Sequence, residues 1–192
     1  MMSVDTSANG MNLVYLLYFL NFGMKQFFEL KINQKLLLPV VLTATLFLLF
    51  SCSAHKQARV RDDRADQVIG AARSFIGTPY KYGGTSRAGM DCSGLLINSF
   101  RVIDVSLPRS SEGQSKIGEE VDLKDLQPGD LVFFATGNRK RKVTHVGLVT
   151  ERKGKDNIKF IHASSTLGVV ETNLFAEYYQ KRFRGGRRVI NN

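Results

Sequence analysis

Apolar positions along the chain change period several times, and each change marks an element. From Leu36 to Phe50 the run LLLPVVLTATLFLLF carries no charge on any side. A polar stretch follows from Ser53 to about Arg64 and reads as a linker. Val68, Ile69, Ala72, Phe75 and Ile76 then recur at helical spacing, and Gly77 ends the pattern. This predicts a short amphipathic helix lying over a core. Beyond the turn-rich segment Gly77–Gly84, residues Leu95, Leu96, Ser99, Phe100 and Ile103 share one helical face. Asp91 is a good N-cap for that helix, which makes Cys92 its first residue. Towards the C-terminus the period becomes two. Val143–Thr150 and Ile158–Ser164 have strand composition, and Gly154 with Asp156-Asn157 supplies a hairpin turn between them.

A chain of 192 residues with 43% hydrophobic and 23% charged residues is ordinary globular protein, not a disordered or fibrous one. Its length fits one domain, or one domain plus a targeting segment. Two cysteines, Cys52 and Cys92, exclude a disulfide-rich scaffold, and no zinc-type Cys/His spacing occurs. Neither a metal nor a cofactor is expected. The net charge of +10 suggests acidic partners. Nucleic acid is not favoured among them, because the basic residues are scattered and form no one-sided helical stripe. The exceptions are the Arg139–Lys142 run, read as a solvated hairpin tip, and the Arg184–Arg188 stretch.

The N-terminal pattern is that of an export signal. Lys31 and Lys35 precede an apolar run of fifteen residues, shorter than the roughly 18–20 of a membrane span. The run stops at Leu49-Phe50-Ser51-Cys52, which resembles the lipobox of bacterial lipoproteins, with Phe50 in a position where small residues are commoner. That resemblance implies lipidation of Cys52 and cleavage before it. Residues 1–23, with the apolar stretch Leu13–Leu20, do not fit a single signal peptide, whereas a start at Met24 gives the orthodox order. Residues 1–51 are therefore assigned to the signal, 52–64 to a lipidated N-terminus and linker, and 65–192 to the functional domain. Removing residues 1–51 takes away Lys25, Lys31, Lys35, Asp5 and Glu29, so the charge from Cys52 onward is +9. Cys92 is then left as a free thiol in an oxidising compartment.

The thiol's position gives it a chemical role. At a helix start, the dipole and the free first-turn N–H groups favour an anion, so the thiol pKa is expected to fall below about 8.5. The same N–H groups can face the oxyanion of an acyl intermediate. A thiolate nucleophile needs a base, and the chain has 3 histidines. His55 lies in the linker and is set aside. His145 shares a strand face with Gly147 and Val149, a face kept clear by glycine. His162 ends the next strand, and adjacent antiparallel strands can set the two rings side by side. Either histidine alone is equally well explained as structural. With Cys92 they make a nucleophile–base–orienter series.

The segments Gly77-Thr-Pro-Tyr80-Lys-Tyr82-Gly83-Gly84, Asp91-Cys92-Ser93-Gly94, Leu107-Pro-Arg109-Ser110, Leu126-Gln-Pro128-Gly129-Asp130-Leu-Val-Phe-Phe, His145-Val-Gly147 and Phe160-Ile-His162-Ala-Ser164 occur in that order. Together they resemble the NlpC/p60 family of cell-wall cysteine peptidases, over roughly residues 65–190. The short lipoprotein members that act as murein endopeptidases are the most similar. The resemblance implies a papain-like α+β domain with the nucleophile helix packed on an antiparallel sheet. It implies Cys92 as nucleophile, His145 as base, His162 as the polar third member and Tyr80 on the oxyanion side. Asp91, Ser93 and Arg109, within the matching motifs, are assigned to substrate binding. The implied substrate is the stem or cross-link peptide of peptidoglycan, whose carboxylates complement the +9 charge. The implied protein is a monomer held at the cell-envelope membrane, facing the periplasm, through acylated Cys52.

Other classes share some of these features. A papain-like amidase or acyltransferase uses the same acyl-thioester chemistry, and a wall-binding lipoprotein can carry a degenerate peptidase fold. The lipobox with the Gly-Thr-Pro-Tyr segment favours wall hydrolysis over lipid acyl transfer, and every triad position holds a competent residue.

Overall fold

The computed structural model describes residues 34–137 and 142–190, with the side chains of 39–43, 56–137 and 142–190. The chain divides into two units between Cys52 and Ser53. Helix α1, Gln34–Arg73, begins in the first unit and ends in the second. In the first, Val40, Val41 and Leu42 are exposed. Among the described residues no helix is long and apolar enough to cross a membrane. The start expected at Met24, with Lys25 and Lys31, lies outside the described residues, as do the side chains of Lys35, Cys52 and His55 and the basic run 139–141.

Two helical expectations change. The polar stretch 53–64, read as a linker, is helical throughout. It contains neither glycine nor proline and is rich in Ala, Lys, Arg and Gln, which lose little on entering a helix. The helix also stops at Arg73, and residues 74–77 form a turn closed by a bond from the Thr78 N–H to the Phe75 carbonyl. Of the expected face, Val68, Ile69 and Ala72 are buried and Ala65 joins them one turn earlier, whereas Phe75 is partly buried and Ile76, beyond the helix end, is exposed.

In the second unit a short hairpin of β1 (Thr85–Ser86) and β2 (Gly89–Met90) leads into α2 (Cys92–Phe100) and the single turn α3 (Ser111–Gln114). Strands β3 (Glu119–Val121), β4 (Leu131–Phe134), β5 (His145–Arg152), β6 (Ile158–Ser164) and β7 (Gly168–Asn173) follow. A helical turn, α4 (Glu177–Gln180), then precedes β8 (Phe183–Arg188). The sheet order is β3-β8-β4-β5-β6-β7, with every neighbouring pair antiparallel. Helices packed on such a sheet make the unit an α+β fold.

Period-two alternation explains the layering. Leu131 and Phe133 of β4, Val146 and Leu148 of β5, and Ile161 and Ala163 of β6 pack with α1 and α2 in one core. Val132 and Phe134, Val149, and Ile158 and Phe160 point the other way, into a second core closed by Leu174, Tyr179 and Phe183. The central strand β4 is buried on both faces, which accounts for its unbroken apolar sequence.

One carboxylate holds the ends of the unit together. Asp130, fully buried, accepts from Arg61 of α1 at 3.2 Å, from Arg188 of β8 at 2.9 and 2.8 Å, and from the Gln127 N–H at 2.8 Å. The helical stretch 53–64 is thereby tied to the sheet.

Candidate active site

Cys92 opens α2, with Asp91 as N-cap accepting from the Gly94 N–H at 2.7 Å. Gly94 must lack a side chain, because a Cβ there would sit 2.3 Å from the Gly84 carbonyl oxygen. The residues before the helix are held by backbone pairing: the Met90 N–H donates to Pro79 O at 3.0 Å and the Lys81 N–H to Met90 O at 3.1 Å. This bridge carries Tyr80 alongside the helix start. Both Tyr80 and Cys92 line two adjoining clefts of about 500 and 470 Å³. One arm continues through Tyr82, Arg109, Glu112 and Lys142 and is charged. The other passes His145 and His162 and ends at Thr166, Leu167 and Tyr178.

The histidines sit as their strands dictate. His145 begins β5 and His162 lies in β6, on the same face of the sheet, with His145 Nε2 3.1 Å from His162 Nδ1. The rings meet edge to face, their centroids 5.0 Å apart. With Nε2 engaged, Nδ1 is the ring nitrogen of His145 that the His162 contact does not use. The face was expected to be kept clear by Gly147, and the structure corrects this. The ring of Phe160 fills that space, and a Cβ on Gly147 would lie 2.5 Å from it. Phe160 in turn stacks on His162, with centroids 4.9 Å apart. Glycine makes room for the residue that fixes the ring.

The thiol's ionisation is also a correction. Burial pushes the Cys92 thiol up, and the nearby Asp91 carboxylate adds to the rise. Hydrogen bonds from the Val146, Ser93 and Cys92 backbone N–H groups favour the thiolate but do not outweigh these effects. The helix start therefore supplies the expected donors, yet the residue is only 8% exposed and desolvation wins. Burial likewise lowers His145 to about 4, and burial with the neighbouring His145 lowers His162 to about 3. Both shifts favour the neutral forms, a thiol at Cys92 and an imidazole at His145, on one shared cleft.

This has a consequence for stability. The unfolded chain protonates its histidines near pH 6.5 and the folded chain takes up these protons only at lower pH, so the unfolded state binds more of them in between. Stability is full above that value and falls as pH drops towards about 4. Between neutrality and pH 5, His145 alone is expected to remove about 2 kcal/mol. Urea midpoints across this range check it, and a flat profile would mean that His145 titrates in contact with water.

The three residues assigned to substrate binding all line the charged arm of the cleft, Asp91 and Ser93 as buried groups and Arg109 as a partly exposed one. Asp91 accepts from Gly83 N–H at 2.9 Å, Ser93 Oγ at 3.0 Å and both Arg109 terminal nitrogens at 3.0 and 2.7 Å, in addition to Gly94. Burial alone would raise its carboxyl, but these donors bring it below the usual carboxylate range. Ser93 is buried and also accepts from Arg109, at 2.9 Å. The Arg109 side chain is 47% exposed and lines the charged arm of the cleft. Among the described residues, no group of three or more His, Cys, Asp or Glu side chains is placed to hold a metal ion.

Thr172 and Tyr179, which the sequence pattern did not single out, meet His162 from behind. Their signal was absent because one ends a solvent-edge strand and the other lies in a single helical turn. Neither position has a periodicity of its own.

An α+β unit with a cysteine at a helix start and two histidines on adjacent strands defines a thiol-peptidase type of architecture. The NlpC/P60 family model matches residues 77–188, and the chain belongs to that family. It is 40% identical over 152 residues to a protein named probable endopeptidase NlpC from Escherichia coli K12, covering 76% of this chain and 95% of that one. To a murein DD-endopeptidase/murein LD-carboxypeptidase, MepS, of the same organism it is 34% identical, covering 70% of this chain and 64% of the relative. A crystal structure of an NlpC/P60 family protein from Bacillus cereus superposes with a TM-score of 0.58 at 35% identity. That match covers 66% of this chain and 40% of the other. The chain is an enzyme of the peptidase class.

Proposed function

We propose that this peptidoglycan-hydrolysing peptidase cleaves stem or cross-link peptide bonds through Cys92, His145 and His162, by way of an acyl-enzyme. The observation that carries the reading is the 3.1 Å bond between the histidines, which frees His145 Nδ1 on a cleft shared with the Cys92 thiol. Because the resting thiol is protonated, His145 removes its proton as sulfur attacks the scissile carbonyl. The tetrahedral oxyanion forms at the start of α2. His145 then gives the proton to the leaving amine, and water, activated by the same imidazole, releases the acyl group from sulfur. Arg109, half open to the cleft and held by Asp91 and Ser93, meets a carboxylate of the stem peptide. Digestion of purified cross-linked muropeptides, with products identified by mass, tests the reading. Peptide-stem cleavage with intact glycan is expected. Cleavage of the glycan alone, or of the bond joining glycan to peptide, would refute it.

Tyr80 is assigned to the oxyanion. Burial first, then the neighbouring acidic groups of Cys92 and Asp91, raise its phenol above the ordinary value, so it stays a hydrogen-bond donor. Tyr80→Phe is expected to lower kcat about 10²-fold, as for a lost oxyanion donor, with an unchanged melting temperature. Full activity in that variant would leave the oxyanion to backbone donors.

The assignment of residues 1–51 to an export signal, and of Cys52 to the lipid anchor at the periplasm-facing membrane, belongs to the same reading. Its support is the basic–apolar–cysteine order of the sequence.

A further inference from the structure

The hydrogen bond between His145 and His162 occupies His162 Nδ1 and leaves its Nε2 for other partners. Two hydroxyls reach that nitrogen: Thr172 Oγ1 of β7 at 3.2 Å and Tyr179 Oη of α4 at 3.2 Å. His162 is 1% exposed, so a polar hydrogen on Nε2 depends on these groups for its partner. The arrangement follows from the register. Thr172 lies opposite Phe160, and His162 is two residues further along β6 on the same face. Tyr179 packs over that face, its ring 5.2 Å from the His162 ring.

Proton counting shows what these hydroxyls decide. A neutral imidazole has one N–H and one lone pair. If His145 is to take the thiol proton on Nδ1, its own hydrogen sits on Nε2 and is donated to His162 Nδ1. His162 must then carry its hydrogen on Nε2, and that hydrogen needs an acceptor. The reverse chain is equally complete: a hydroxyl donating to His162 Nε2 forces the hydrogen onto His162 Nδ1, and from there His145 is left with Nδ1–H. In that form His145 cannot accept a proton from Cys92. The direction of the bonds at the back of His162 therefore sets the chemistry at the front of His145.

We propose that Thr172 and Tyr179 together accept the His162 Nε2–H, and so hold His145 in the tautomer whose free Nδ1 serves Cys92. They are positioning residues, and the inference rests on the triad reading given above. Tyr179 suits the accepting role because it lines the cleft, where its own hydroxyl hydrogen finds solvent or substrate. Burial raises its phenol above the ordinary value, so it remains a neutral hydroxyl. Thr172 is on a strand, with its hydroxyl beside the ring rather than on a mobile loop.

The test uses the full chain carrying Thr172→Val, Tyr179→Phe, both together, and Thr172→Ser. Nitrogen NMR of the histidine rings without substrate reports which nitrogen bears hydrogen, and kcat and KM are measured on cross-linked muropeptides. The double variant is expected to move hydrogen to His145 Nδ1 and to lower kcat about 10²-fold, the lower range for a positioned base, with KM unchanged. Thr172→Ser keeps the hydroxyl and should retain both the ring signature and the rate. If the double variant is poorly folded, the two single variants carry the test, each shifting the tautomer balance part of the way. A wild-type ring signature in variants lacking the hydroxyls would overturn the proposal, as would a full rate. Failure of the triad reading itself would appear separately, as muropeptide cleavage by Cys92→Ala with the wild-type tautomer signature intact.

Discussion

Cys92→Ala is expected to lower peptide cleavage by about 10⁴-fold or more, and His145→Ala by a comparable factor. The two act as one unit, so the double variant should be little worse than either single one. The resting state explains why the base is as necessary as the nucleophile. With the thiol pushed up by burial and His145 held down to about 4 by burial, neither group is charged before substrate arrives. A thiolate exists only when His145 takes the proton during attack, so sulfur without the imidazole has no route to ionise. A pre-formed ion pair would behave differently, because its thiolate would survive a weakened base. Removing one sulfur atom from the start of α2 leaves its Asp91 cap intact, so the melting temperature should hardly move. Rates on muropeptides, with melting curves for each variant, separate loss of chemistry from loss of fold.

The largest expected effect on stability belongs to Asp130→Ala, at about 3–5 kcal/mol, the range for breaking a buried ion pair by removing one partner. The carboxylate is fully buried and neutralises Arg61, whose side chain is 11% exposed, and Arg188, at 22%. Truncation leaves Arg61 with Asp62 at 3.4 Å and the Pro128 carbonyl at 3.3 Å, leaves Arg188 with the Asp125 carbonyl at 3.1 Å, and orphans the Gln127 N–H. Water can reach Arg188 in part, so most of the cost falls on Arg61. Asp130→Asn is expected to be nearly as damaging, because an amide turns an NH₂ towards a guanidinium that needs an acceptor. Denaturant unfolding measures both. A loss below about 1 kcal/mol would put Asp130 in the class of solvated surface pairs.

Much of the site was legible in the sequence because its signals are local. The apolar spacing from Leu95 to Phe100 with Asp91 ahead of it placed Cys92 at a helix start, and period two placed His145 and His162 on neighbouring strands. Both follow from backbone geometry over fewer than about ten residues, the scale on which helical and strand periods are read. What was not legible depends on contacts between distant segments. Asp130 stood in a recognisable motif, yet its partners are 69 residues before it and 58 after it. The rise in the Cys92 pKa comes from the depth of the core around α2, which spacing does not convey, whereas the helix dipole that opposes it is visible in the pattern. Period two gives the face of Gly147 but not the Phe160 ring that occupies it. The polar stretch 53–64 has the pattern of a linker because nothing nearby in sequence shows that Arg61 has a buried anion to meet.

The central claim is that Cys92 carries the acyl group during cleavage. Rapid acid quenching of the full chain during turnover of a cross-linked muropeptide, followed by intact mass and peptide mapping, addresses it most directly. The account predicts a mass increase equal to the acyl half of the substrate, mapped to Cys92 and absent from Cys92→Ala, which should also fail to cleave. An adduct mapped to another residue, or undiminished cleavage by Cys92→Ala, would contradict it.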